Sequence, residues 1–111
     1  MIIYGGYNGT NVINDLWEYS ITNNYWTQLT SSTPIPSPRF YHSAIYSPQT
    51  KSMIIFGGVA NENVKNGQQN GIFLNDLWGY DIPNNIWNQL NPSGLIPSTR
   101  ASFSAIYKEV E

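Results

Sequence analysis

At 111 residues, with 11% charged side chains and a formal net charge of −2, the chain has the size of one domain and no electrostatic footprint for nucleic acid or an anionic membrane. Its lack of cysteine excludes disulfides and thiolate metal sites, and leaves the compartment open. Aromatic residues reach 14%, a composition suited to pleated, half-buried sheet.

Four strand types are expected, and each occurs twice. The first, at 1–4 and 52–56, is a short β-branched and aromatic run that stops at paired glycines, Gly5-Gly6 and Gly57-Gly58. The second covers 15–21 and 76–82, where two-residue alternation places Trp17 with Tyr19, and Trp78 with Tyr80, on one face. The third, at 25–29 and 86–90, carries Trp26 and Trp87. The fourth, at 41–47 and 102–108, contains Ser-Ala-Ile-Tyr. Between the second and third types, Thr22-Asn23-Asn24 and Pro83-Asn84-Asn85 suit tight hairpins, because Asn tolerates left-handed backbone and Pro presets φ. Residues 47–51 suit another. No helical periodicity is present, so the chain is expected to be all-β.

The duplication is close. Residues 14–46 and 75–107 share 20 identities in 33 positions at a constant offset of 61, while 1–6 and 53–58 match at an offset of 52. Nine extra residues therefore lie between the glycine pair and Asn75-Asp76. A period of about 50 residues is that of a propeller blade, not of a helical hairpin. Residues that recur are read as scaffold; residues that differ mark where function is sought.

Few groups here suit chemistry. Gly5-Gly6 has no third glycine, Lys-Ser/Thr or following helix, so it is read as a sharp strand exit, not as a phosphate cradle. Asp15 and Asp76 recur and are read as caps for loop N–H groups. Arg39 and Arg100 recur and suit bonds to loop carbonyls or a carboxylate, with ligand recognition as the second reading. His42 is the only histidine and lacks the companions that a metal site or a nucleophile–base pair needs. Neither cofactor nor metal is expected. The start of the chain has no basic region followed by an apolar run, so no signal peptide is expected, which is compatible with a cytoplasmic location. No stretch reaches the length of a membrane span. The Asn8-Gly9-Thr10 sequon is read as coincidental without a secretory signal.

The chain resembles kelch-repeat proteins over nearly its whole length. The resemblance rests on the glycine pairs, Tyr19 and Tyr80, Trp26 and Trp87, and Pro-x-x-Arg at 36–39 and 97–100. The first copy keeps Arg-x-x-His (Arg39, His42); the second has Phe103 at the His position. The resemblance implies four-stranded antiparallel blades around a central axis, lettered A to D from the inside outward. Residues 1–39 then supply strands B to D of a first blade and a linker, 40–90 a complete second blade, and 91–111 a linker and strand A of a further one. The chain thus starts at strand B and ends at strand A. Two blades do not close a ring. The phasing implies either a homo-oligomer, with three copies giving six blades, or part of a longer propeller.

Strand direction sends the B–C loops (7–13 and 59–74) and the D–A linkers (30–38 and 91–99) to one side, where binding residues are expected to concentrate. The second B–C loop is rich in Asn, Gln and Gly and reads either as a tolerated insertion or as a contact loop. The resemblance implies partner contacts just after the glycine pair and after the Pro-x-x-Arg arginine. The candidate partner-binding residues are Tyr7, Asn8, Arg39, Phe40, Tyr41, His42, Val59, Asn61, Arg100 and Ser102. At the positions the resemblance implies, Tyr7, Asn8, Tyr41, Val59, Asn61 and Ser102, the basic residues that bind acidic peptides are absent, so an acidic ligand is not expected. The function expected is a non-enzymatic protein–protein interaction module; the alternative is a carbohydrate-binding or sugar-converting propeller. The copper oxidases of this fold use a cysteine-linked tyrosine, which a chain without cysteine cannot form.

Overall fold

β-branched and aromatic runs broken by Gly, Asn and Pro favour antiparallel ladders joined by turns, and the computed structural model, described for residues 1–65 and 68–109, consists of those. Strands β1 (Ile2–Tyr7), β2 (Val12–Ser20) and β3 (Tyr25–Leu29) make a three-stranded sheet. Strands β4 (Ser43–Ser47), β5 (Ser52–Lys65), β6 (Gln68–Asp81) and β7 (Ile86–Leu90) make a four-stranded one. Both run in sequence order, and all their pairings are antiparallel. This is the blade arrangement that the repeats imply. The β2–β3 and β6–β7 turns place Asn24 and Asn85 in left-handed backbone, at φ 58° and 55°, as their sequences require.

The core lies where the sheets meet. Tyr4 and Leu16 of the first pack with Met53, Ile55, Trp78, Tyr80 and Trp87 of the second. Trp87 sits 5.0 Å from the Tyr4 ring and 5.1 Å from the Tyr80 ring. Its backbone N–H donates to Thr33 Oγ1, and Asn85 Nδ2 donates to the Thr30 carbonyl, so the linker between the sheets is bonded to the hairpin that packs on it.

The glycine pairs do what a sharp strand exit demands. Gly5 and Gly57 both have φ of 65°, and a Cβ there would come within 2.8 Å of the Arg39 carbonyl and 2.7 Å of the Arg100 carbonyl, respectively. The next residue's N–H, Gly6 or Gly58, donates to that same carbonyl. Each glycine pair thereby grips the linker leading to the following strand.

Two expectations are corrected, and a third segment, meant for a further blade, is unpaired within this chain. Residues 59–74 are not a long loop: β5 and β6 continue as a ladder through Val59↔Phe73 and Ala60↔Ile72, because Ile72-Phe73-Leu74 supplies apolar strand formers. The 7–13 loop shrinks to residues 8–11, since β1 runs to Tyr7 and β2 begins at Val12. Residues 102–108 form no strand. Their counterpart β4 lies on β5, whereas 102–108 pair with no strand among the described residues.

Candidate partner-binding groove

Pro-x-x-Arg sets the floor of the site. Arg39 is 0% exposed, and its guanidinium is held from several sides. Nη1 and Nη2 donate to Asp76 Oδ1 and Oδ2 at 2.6 and 2.7 Å, Nη1 also to the Gly57 carbonyl, and Nε to the Ser37 carbonyl. Trp78 Nε1 adds a bond to Asp76 Oδ2. Burial opposes ionisation of Asp76, yet the Arg39 and Trp78 hydrogen bonds and the guanidinium charge outweigh it and hold the carboxyl below its usual range. A forked, buried cation tied to a carboxylate is a clamp between linker and sheet. Arg39 therefore has no donor to offer a partner, which corrects its place among the contact residues.

Past that clamp the chain turns. Tyr41 and its repeat counterpart Ser102 both adopt left-handed backbone, at φ 58° and 57°, and the Ser102 N–H donates to the Tyr41 carbonyl at 2.9 Å. A bulky residue rarely occupies this region, and roughly 1–3 kcal/mol of strain is tolerated only where the surroundings impose it. Here the Phe40–Val59 bridge imposes it, with backbone bonds in both directions at 2.8 and 3.0 Å. The turn throws the Tyr41 ring outward, to 63% exposure.

Above the clamp lies an open groove of about 410 Å³, lined by Phe40, Tyr41, Val59, Gly71, Phe73, Ala101 and Ser102. Phe40 stacks edge-on to Tyr41 at 4.7 Å and lies 5.8 Å from Tyr7, so three aromatic rings run in a row. Phe73, on the facing strand, is 57% exposed. Among the described residues no charged side chain lines this groove.

Of the expected contact residues, Tyr7, Phe40, Tyr41, Val59 and Ser102 are brought together here. Val59 is buried and serves as floor, not as a projecting contact. Asn8 Oδ1 accepts from the Thr10 and Asn11 N–H groups, so this side chain holds the 8–11 turn. His42 sits beneath the groove, edge-on to Tyr4 at 6.0 Å, with Nδ1 buried and unpartnered among the described residues. Burial, and then the neighbouring Arg39 charge, push its pKa below the ordinary histidine value. Arg100 is exposed, and its side chain bonds only Ser98 among the described residues. The backbone of Asn61 pairs with Gly71, while its side chain lies outside the described residues. Phe73 and Gly71 lie within the 59–74 segment expected to hold contacts, but neither they nor Ala101 are among the named candidates. The signal for Phe73 was present in the apolar Ile72-Phe73-Leu74 run, which the surrounding Asn and Gln masked.

The comparisons with known proteins follow the same lines. The family model of the KLHDC2/KLHL20/DRC7 Kelch-repeats domain matches residues 1–110. The chain is 31% identical, over 95% of its length, to the Leucine-zipper-like transcriptional regulator 1 homolog of Drosophila melanogaster, of which it covers 10%. It is 34% identical over 88% of its length to the Rho GTPase-activating protein gacHH of Dictyostelium discoideum, covering 6% of that protein. To the Kelch domain-containing protein 10 of Xenopus laevis it is 36% identical over 67% of its length, covering 18%. The chain thus spans a small part of each relative. Two antiparallel sheets in blade order, glycine pairs that grip the linkers, and a family match from end to end give one conclusion: the chain belongs to the kelch-repeat family.

Proposed function

We propose that the chain is a non-enzymatic protein-interaction module that takes a weakly charged peptide segment of a partner into the groove of Phe40, Tyr41 and Phe73. One observation carries this reading: a row of aromatic rings that the left-handed backbone at Tyr41 turns outward, with no charged group among the described residues lining the groove. Rigid aromatic surface gives contact area at low entropic cost. Covering Tyr41 and Phe73, each more than half exposed, would contribute about 2–3 kcal/mol apiece at roughly 25 cal/mol per Å². Kelch-repeat domains are typically protein-interaction modules, which agrees with this assignment. Among the described residues no group of three or more His, Asp or Glu side chains could hold a metal.

Selection from a displayed peptide library, run beside a glycan array, tests the proposal. Peptides that bind the wild type and lose at least about tenfold affinity to Tyr41→Ala or Phe73→Ala support it. Reproducible sugar binding lost on Tyr41→Ala, with no peptide enriched, would replace it with the carbohydrate reading.

A further inference from the structure

The turn at residues 8–11 carries the parts of a self-modifying site. We propose that Asn8 converts without an enzyme to aspartate and isoaspartate, through a cyclic imide closed by the Gly9 nitrogen.

Asn8, Gly9 and Thr10 are all exposed, so water reaches the site. The Asn8 N–H donates to the Asn11 carbonyl at 3.1 Å, which closes the turn. Asn8 Oδ1 accepts from the Thr10 N–H at 2.9 Å and from the Asn11 N–H at 2.8 Å. Attack of the Gly9 nitrogen on Asn8 Cγ makes an oxyanion of that oxygen, and two backbone donors already point at it. Preorganised donors at this distance stabilise such a charge, and removing one from an enzyme costs roughly 10²–10³ in rate. The attacking group is unengaged, since the Gly9 N–H makes no hydrogen bond among the described residues; nor does the leaving group, Asn8 Nδ2. A Cβ on Gly9 would find nothing within 4 Å, so the approach is open.

Water is the only co-reactant. The Gly9 N–Asn8 Cγ bond forms and the Asn8 Cγ–Nδ2 bond breaks; Nδ2 leaves as ammonia and takes the Gly9 proton. Water then opens the imide. Attack at Cγ gives aspartate on the original main chain. Attack at the Asn8 main-chain carbonyl gives isoaspartate, whose chain runs through Cβ and Cγ and is one carbon longer. Both products carry a new negative charge. Tyr7 distinguishes them. Its hydroxyl donates to the Gly9 carbonyl at 3.0 Å, and its ring lies 5.8 Å from Phe40. Lengthening the chain between Asn8 and Gly9 displaces that carbonyl and frees Tyr7 from the turn, whereas aspartate keeps an acceptor at the Oδ1 position. Asn70-Gly71 is no such turn, because the β5–β6 ladder holds it extended through Glu62↔Asn70 and Asn61↔Gly71. Asn66-Gly67 lies outside the described residues.

The full chain is incubated in mildly alkaline buffer beside a free peptide of residues 5–13. Conversion at each Asn-Gly is followed by peptide mass spectrometry and by isoaspartyl methyltransferase labelling. Asn8 should convert about tenfold or more faster in the folded chain than in the peptide, and faster than Asn70. Thr10→Pro removes one of the two donors and should slow the folded chain about tenfold, with the urea-unfolded chain unchanged. In the isoaspartyl form the Tyr7 ring signals should move in NMR spectra, while Asn8→Asp leaves them near wild type. A folded rate equal to or below that of the peptide, or a folded rate that Thr10→Pro leaves unchanged, would overturn the proposal. The isoaspartyl form should also bind a selected peptide about threefold or more weakly, an effect that rests on the groove proposed above. The conversion rates decide this site even where no peptide binds.

Discussion

Asp76→Asn is expected to destabilise the chain by about 3 kcal/mol at neutral pH. Asparagine keeps the size of the side chain but removes the charge and turns a donor toward the Arg39 guanidinium. That guanidinium is fully buried, so its charge stays in place with only neutral acceptors to satisfy it: the Gly57 and Ser37 carbonyls, the Ser37 hydroxyl and one amide oxygen. Removing one partner of a buried pair costs about 3–5 kcal/mol, and a carboxylate whose side chain is 25% exposed belongs at the lower end. With a urea dependence of about 1.5 kcal/mol per molar, the unfolding midpoint should fall by about 2 M, at fixed protein concentration. Asp81→Asn, which disturbs only bonds to Asn84 in an exposed turn, should cost about 0.5 kcal/mol. The pH dependence sharpens the test. A carboxyl whose folded pKa is depressed stabilises above its unfolded value of about 3.9, and that contribution is lost as pH falls through the folded value. The gap between wild type and Asp76→Asn should be full near pH 6–7 and close as pH drops from about 4 toward 2. A gap below about 1 kcal/mol at pH 7, or one unchanged on acidification, would refute the clamp assignment.

Three more outcomes are expected. Gly5→Ala, which sets a Cβ 2.8 Å from the Arg39 carbonyl at φ 65°, should lower stability by more than about 2 kcal/mol in thermal unfolding. Gly9→Ala, at φ 93° with nothing within 4 Å, should cost only about 1 kcal/mol of backbone strain. His42 has a depressed pKa, so the unfolded chain takes up its proton first; stability is full above about 6.5 and falls as pH drops through that value. His42→Phe, the residue its counterpart Phe103 already uses, should remove that loss, and an NMR titration of the lone histidine should give a midpoint below the ordinary value. Tyr41→Gly should relieve left-handed strain, leaving stability equal or up to about 1 kcal/mol higher, while peptide binding falls. Opposite movement of stability and binding marks a residue strained for recognition.

The repeat made the scaffold legible. Glycine pairs, Asn turns and alternating aromatics each dictate a local backbone, and together they lead to antiparallel sheets in sequence order. Arg39 and Asp76 were visible as recurring residues, but their pairing was not, because they meet only when the linker folds over the sheet. Trp26 and Trp87 show a deeper limit. The two residues and their neighbours are nearly the same in sequence, yet one is buried and the other nearly half exposed, since burial depends on which sheet comes next. The same holds for residues 102–108, whose strand-forming sequence pairs with no strand among the described residues. At 59–74 the abundance of Asn, Gln and Gly suggested a loop, while pairing to an already formed ladder extended the strands. The groove escaped notice in part for that reason, because Phe73 lines it from the extended strand.

The partner face is tested most directly by mapping amide chemical-shift changes as a selected peptide is titrated into the isotope-labelled chain. The largest changes should fall on Tyr7, Phe40, Tyr41, Phe73 and Ser102, around the aromatic groove. Changes centred instead on Leu77, Leu90 and Ile96, with the aromatic row unmoved, would contradict it.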